Sequence, residues 1–245
     1  MKISKQTAIK LSVYLLGLIL VGIGVQIIIY TNLGSAPLDA FTWYLARIYL
    51  QLFPNATLAH ESIMGIASFI FGTLTIIVLY LISKNKKLIL TWFNSIAISF
   101  IILLWGFLFA EFKPIADNLL IKILVSFIGI VILSFGVFLV IVTEYPGGPP
   151  EEVMKLINTK TNNLFVAKIL TEGMYLVFAF VAMLISTVLI GNEPLQFTHI
   201  SLFTVFTLVS TAVLISLFDK LYRKIFSKRS EPVNEWMSSL RWNKF

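Results

Sequence analysis

Two acids occupy matching places in this chain. Asp39 closes Gly34-Ser35-Ala36-Pro37-Leu38-Asp39 and Glu152 closes Gly147-Gly148-Pro149-Pro150-Glu151-Glu152, so both segments obey G-x-x-P-x-[DE] after a long apolar run. A carboxylate near the interior of a membrane is costly to desolvate, which makes it a default candidate for handling a proton or an ion. The same spacing also starts a helix with no function attached. Proline has no N–H to leave unpaired in a first turn, and an acid two residues on meets the positive end of the helix dipole. Duplication is what speaks for chemistry. Gly34, Pro37, Gly147 and Pro150 bend the backbone beside the two acids and Glu144 precedes the second turn, so the candidate substrate- or ion-binding set is Asp39, Glu152, Gly34, Pro37, Gly147, Pro150 and Glu144. Acids that neutralise their own helix ends make those ends poor anion sites, so a cation or a proton-coupled small molecule is the expected substrate.

Other chemistries have little to stand on. The chain has no cysteine, which removes thiolate nucleophiles, disulfides and cysteine metal sites. His60 lies beside Glu61 and His199 near Glu193, but no H-x-x-x-H pair sits on one helix. Solvated loop histidines are therefore expected, and no metal. Lys168 and Glu172 are four apart and suit an intrahelical pair. Arg47 stands too far beyond Asp39 for such a pair and is expected to snorkel, while Gln26 and Asn94 suit hydrogen bonds between helices. No Walker, Rossmann, G-x-S-x-G or H-E-x-x-H motif occurs, so neither an enzyme nor a cofactor is expected.

The elements that must position these residues are membrane helices. Of the 245 residues 58% are hydrophobic and 13% charged, with a mean hydropathy of +0.92, outside the range of water-soluble domains. A span needs roughly 20 apolar residues as helix, and runs of that length fall at about 11–30, 62–83, 88–110, 123–143, 173–190 and 197–218. They do not alternate in polarity, which excludes a β-barrel. The segment from Pro37 to Phe53 is too polar for a span and too aromatic for an open loop, and reads as a re-entrant or interfacial half-helix. A shorter one follows the second turn.

Gly17 and Gly24 before the first turn are matched by Gly129 and Gly136 before the second, as in one unit written twice. The expectation is an all-α polytopic membrane helix bundle of about six transmembrane helices in two inverted three-helix repeats, residues 1–110 and 119–218, each with its half-helix. Three spans per unit is odd, so the halves oppose one another, as in secondary transporters whose sites form at the repeat interface. Residues 219–245 read as a basic cytoplasmic amphipathic tail. Sixteen of the 19 Lys and Arg residues then face one side, against Arg47, Lys113 and Lys122 on the other. That bias places both termini in the cytoplasm. It also accounts for the net charge of +7 without nucleic acid.

The stretch from Gly24 to Asp39, with its G-x-x-P-x-D turn after an apolar span, resembles the YczE/YyaS/YitT-like family of bacterial multi-pass membrane proteins, and the resemblance covers most of residues 10–218. The second half departs from that pattern in having Glu152 for an Asp and in lacking a Gly-Thr pair at Phe197-Thr198. The resemblance implies a bacterial cytoplasmic membrane protein and, at most, transport. The expected partners are the lipid bilayer and a small-molecule or ion substrate, with a homo-oligomer left open. The expected function is secondary transport; the alternative is a non-transporting accessory protein that holds a biosynthetic or signalling partner at the membrane through its basic tail.

Overall fold

The computed structural model describes residues 5–86, 88–111, 118–143, 145, 147–161, 164–191, 195, 197 and 199–226. The described secondary structure is helical throughout: α1 Lys5–Tyr30, α2 Pro37–Leu52, α3 His60–Ser83, α4 Leu88–Ala110, α5 Leu119–Val142, α6 Pro149–Thr161, α7 Leu164–Leu184 and α8 Leu202–Phe226. Among the described residues six stretches are long and apolar enough to cross a membrane, Ala8–Tyr30, Ser62–Ser83, Leu88–Phe109, Leu119–Val142, Val166–Ile190 and Leu202–Tyr222, and the chain is a multi-pass membrane protein. The fifth begins earlier than its apolar run suggests. Lys168 and Glu172 lie within it and pair with each other across one helical turn, Lys168 Nζ to Glu172 Oε1 at 2.6 Å. A mutual ion pair lowers the cost of holding both charges inside the bundle. The helix then loosens into a π-helical turn, Ile185–Ile190, packed against α2.

The order long, short, long, long occurs twice, as α1–α4 and α5–α8. Packing follows the same duplication: α1 lies on α4 as α5 lies on α8, and α2 lies on α3 as α6 lies on α7. The two halves meet most extensively along α1 and α5. There the four repeated glycines interlock crosswise. A Cβ at Gly17 would lie 2.9 Å from the carbonyl oxygen of Gly136, and one at Gly129 would lie 3.2 Å from that of Gly24. Thr31 Oγ1 and Ser126 Oγ are 2.6 Å apart farther along. Residues that rise in number on α1 thus meet residues that fall in number on α5, so these equivalent helices run antiparallel and the repeats are inverted. Small residues let membrane helices approach this closely, where dispersion contacts and lipid exclusion replace the hydrophobic effect as the driving force.

The segment from Pro37 to Phe53 forms the expected short helix, and it packs into the bundle. Pro37 takes the first helical position of α2, and Pro37, Ala40, Thr42, Tyr44 and Ala46 are buried, facing α7 and α3. Its start is tied to the far end of the chain. Ser35 N donates to the His199 carbonyl at 3.1 Å and Ser201 Oγ donates to the Leu33 carbonyl at 2.5 Å. Gly34, with φ of 137°, could not be replaced without strain, and a Cβ there would also meet Ser201 Oγ at 2.5 Å. α8 continues past its span to Phe226. The rest of the expected basic tail, residues 227–245, lies outside the described residues.

Candidate functional site

Both G-x-x-P-x-[DE] turns open onto one internal cavity of about 220 Å³. Ala36, Leu38 and Asp39 reach it from the first turn, and Gly147, Gly148, Pro149, Pro150 and Glu151 from the second. The N-termini of α2 and α6 therefore meet at this space, one from each repeat. The two first turns close in the same way: Ala40 N donates to the Ala36 carbonyl at 2.8 Å and Glu152 N to the Gly148 carbonyl at 3.1 Å.

The cavity has two unlike walls. On one side stand Asp39, Glu151, Lys155, Lys168 and Glu172, carried by α2, α6 and α7. Asn94 and Tyr145 extend that polar side. Asn94 Nδ2 donates to the Tyr14 hydroxyl at 2.6 Å, and the Tyr14 and Tyr145 rings lie 5.1 Å apart. The lining from α1, α4, α5 and α8 is mainly aliphatic, with Val21, Val25, Ile102, Leu133, Val137 and Ile215, and carries Ser95, Ser134 and Thr211 among them. Three carboxylates and two ammonium groups line the polar side, and Glu152 beside it engages Lys155, so carboxylates outnumber ammonium groups.

The individual placements differ from turn to turn. Asp39 lines the cavity, and its carboxylate makes no hydrogen bond or ion pair among the described residues. Burial pushes its pKa up to about 7; the nearby Glu172 carboxylate adds to the shift and the Lys168 ammonium opposes it. In the second half the acid that lines the cavity is Glu151. Glu152 is buried beside it and accepts a hydrogen bond from Lys155 Nζ at 2.5 Å, and burial raises its pKa against the lowering effect of that lysine. Gly147 and Pro150 border the cavity. Gly34 and Pro37 are buried behind it, shaping the turn that presents Asp39. Glu144 lies outside the described residues.

Lys168, Glu172, Lys155 and Glu151 escaped a reading that weighed acids only by their place in the repeated turn. The available signal was the adjacency of Glu151 and Glu152. Successive helical residues point about 100° apart, so of two adjacent acids only one can face a given neighbour while the other serves packing. Lys168 and Glu172, expected merely to pair, do so on the face of α7 that borders the cavity.

The histidines differ from expectation. His60 and His199 are not solvated: their rings lie 4.4 Å and 4.1 Å from that of Trp43, and His199 is fully buried with no hydrogen-bond partner on either ring nitrogen among the described residues. Trp43 on α2 supplies an apolar face that a neutral imidazole can share. Burial lowers the His60 pKa to about 4 and that of His199 to about 3, so both are neutral at physiological pH. Among the described residues no group of three or more His, Cys, Asp or Glu is placed to hold a metal ion.

In comparisons with known proteins, the model of DUF6198, described as a family of unknown function, matches residues 8–220. No curated protein and no solved structure matches the chain.

Proposed function

The chain belongs to the DUF6198 family, and from the charge pattern of its cavity we propose that it is a secondary transporter of a small cationic or proton-coupled solute. One observation carries the reading: the interrupted-helix turns of two inverted repeats converge on one cavity lined by Asp39, whose carboxylate has no hydrogen-bond or ion-pair partner among the described residues. Sites of secondary transporters form at such repeat interfaces, from discontinuous helices near the bilayer midplane. A carboxyl with a pKa of about 7 is half-occupied by a proton at neutral pH, the condition for exchanging that proton against a cation. The Lys168–Glu172 pair keeps the neighbouring charges balanced while Asp39 changes state. The proposal includes the bacterial cytoplasmic membrane with both termini in the cytoplasm, supported by the one-sided distribution of lysine and arginine, and a relation to the YczE/YyaS/YitT-like proteins, supported by the first turn.

The test is proton movement in proteoliposomes that contain a pH-sensitive dye, with cationic solutes added outside. The expected result is a solute-dependent pH change that Asp39→Asn abolishes while the variant remains folded and monodisperse. A solute-dependent signal of equal size in Asp39→Asn overturns the role of this residue, and no signal from any cation overturns the transport reading.

A further inference from the structure

Resting on that reading, the shape and lining of the cavity narrow the substrate class. An inorganic cation needs a shell of oxygen ligands and gains nothing from hydrocarbon, yet most of this cavity's lining is apolar. An organic anion has the right body for that wall but meets the excess carboxylate. Lys168 is matched by Glu172 and Lys155 by Glu152. Asp39 and Glu151 remain on the cavity surface, and with one of the two protonated a single positive charge balances the other.

We propose that the occupant of the cavity is an aliphatic organic monocation, an alkylammonium-type amine, with its charged head at Asp39 and Glu151 and its hydrocarbon body against Val21, Leu133, Val137 and Ile215. The head then exchanges with the proton of Asp39, and the body fills the 220 Å³ space. The two walls select jointly. Charge rejects carboxylates of the same shape, and the aliphatic side rejects ions of the same charge without a body.

The test is direct binding to the full chain in lipid nanodiscs, using four probes: n-hexylammonium, n-butylammonium, ammonium and hexanoate. The n-hexylammonium ion is expected to bind most tightly, with affinity rising about fourfold for each methylene buried. Ammonium and hexanoate are expected not to bind in the concentration range where n-hexylammonium saturates. Asp39→Asn, in identical nanodiscs, measures partition into the lipid and is expected to lose the saturable component, with Asp39→Glu restoring part of it. Val137→Asn is expected to weaken n-hexylammonium far more than n-butylammonium. Equal binding of ammonium and n-hexylammonium, tighter binding of hexanoate, or saturable alkylammonium binding that survives Asp39→Asn each overturns the inference. Saturable, Asp39-dependent binding with no alkylammonium uptake into proteoliposomes would uphold the ligand class and overturn transport; cation-driven proton movement without alkylammonium binding would do the reverse.

Discussion

At the scale of single residues, the buried ionisable groups give the protein two opposing pH responses. Asp39 titrates near 7 in the fold against about 3.8 when free, so the folded state holds the proton more tightly. Stability contributed by this group is present below pH 3.8 and is lost as pH rises toward 7. His60 has the reverse sign: its pKa falls from 6.5 to about 4, so its contribution is present above pH 6.5 and is lost as pH falls through the weakly acidic range. Melting curves of the purified protein should separate the two. Asp39→Asn is expected to raise the melting temperature at pH 8 relative to pH 5, and the pair His60→Phe with His199→Phe to flatten the loss on acidification. The ion pair makes a further prediction. Lys168→Met or Glu172→Gln alone leaves one charge unmatched, at a cost of about 3 kcal/mol for a buried pair, whereas the double variant should melt closer to the parent. Asp39 was legible in the sequence because its turn is duplicated. Glu151, Lys155 and Glu172 were not, because which side of a helix faces a cavity depends on packing that no single turn encodes.

At the scale of elements, close approach is the controlling quantity. A Cβ at Gly24 would lie 2.6 Å from Leu133 N, a backbone atom that cannot step aside. Gly24→Val is therefore expected to force α1 from α5 and lower the melting temperature sharply, by the same overpacking that costs 1–3 kcal/mol or so in well-filled cores. Gly173 has nothing within 4 Å of a Cβ position. Gly173→Ala should be neutral or stabilising, by up to about 1 kcal/mol, since alanine is the better helix former. Side-by-side thermal denaturation of the two variants checks both. The helices themselves were readable from apolar length, and the glycine pairs announced a close interface without naming its partner. α2 was harder to read. Its Asp39 and Arg47 dilute the hydropathy that marks a span, and only the tertiary setting, against α7 and α3, shows that its aromatic and small residues face protein.

At the scale of the whole molecule, duplication was written in the sequence, but the way the copies share their contacts was not. α3 and α4 pack along their lengths, with Trp92 Nε1 donating to Thr73 Oγ1 at 3.1 Å and Gly65 close to the Ser99 carbonyl. Their counterparts α7 and α8 barely touch. The two halves share an element order but pack unequally, and the transport reading predicts a second arrangement, in which α7 closes on α8 and α3 parts from α4. A few kcal/mol of bias would then place that arrangement among the minor populated states. Because the chain contains no cysteine, a single introduced pair on α7 and α8 would carry the only spin labels in the molecule. A bimodal distance distribution, with its shorter component enlarged when Gly65→Leu wedges α3 from α4, is the signature expected. The broken symmetry would then be one phase of a reciprocating cycle, in which each half in turn plays the part the other plays here.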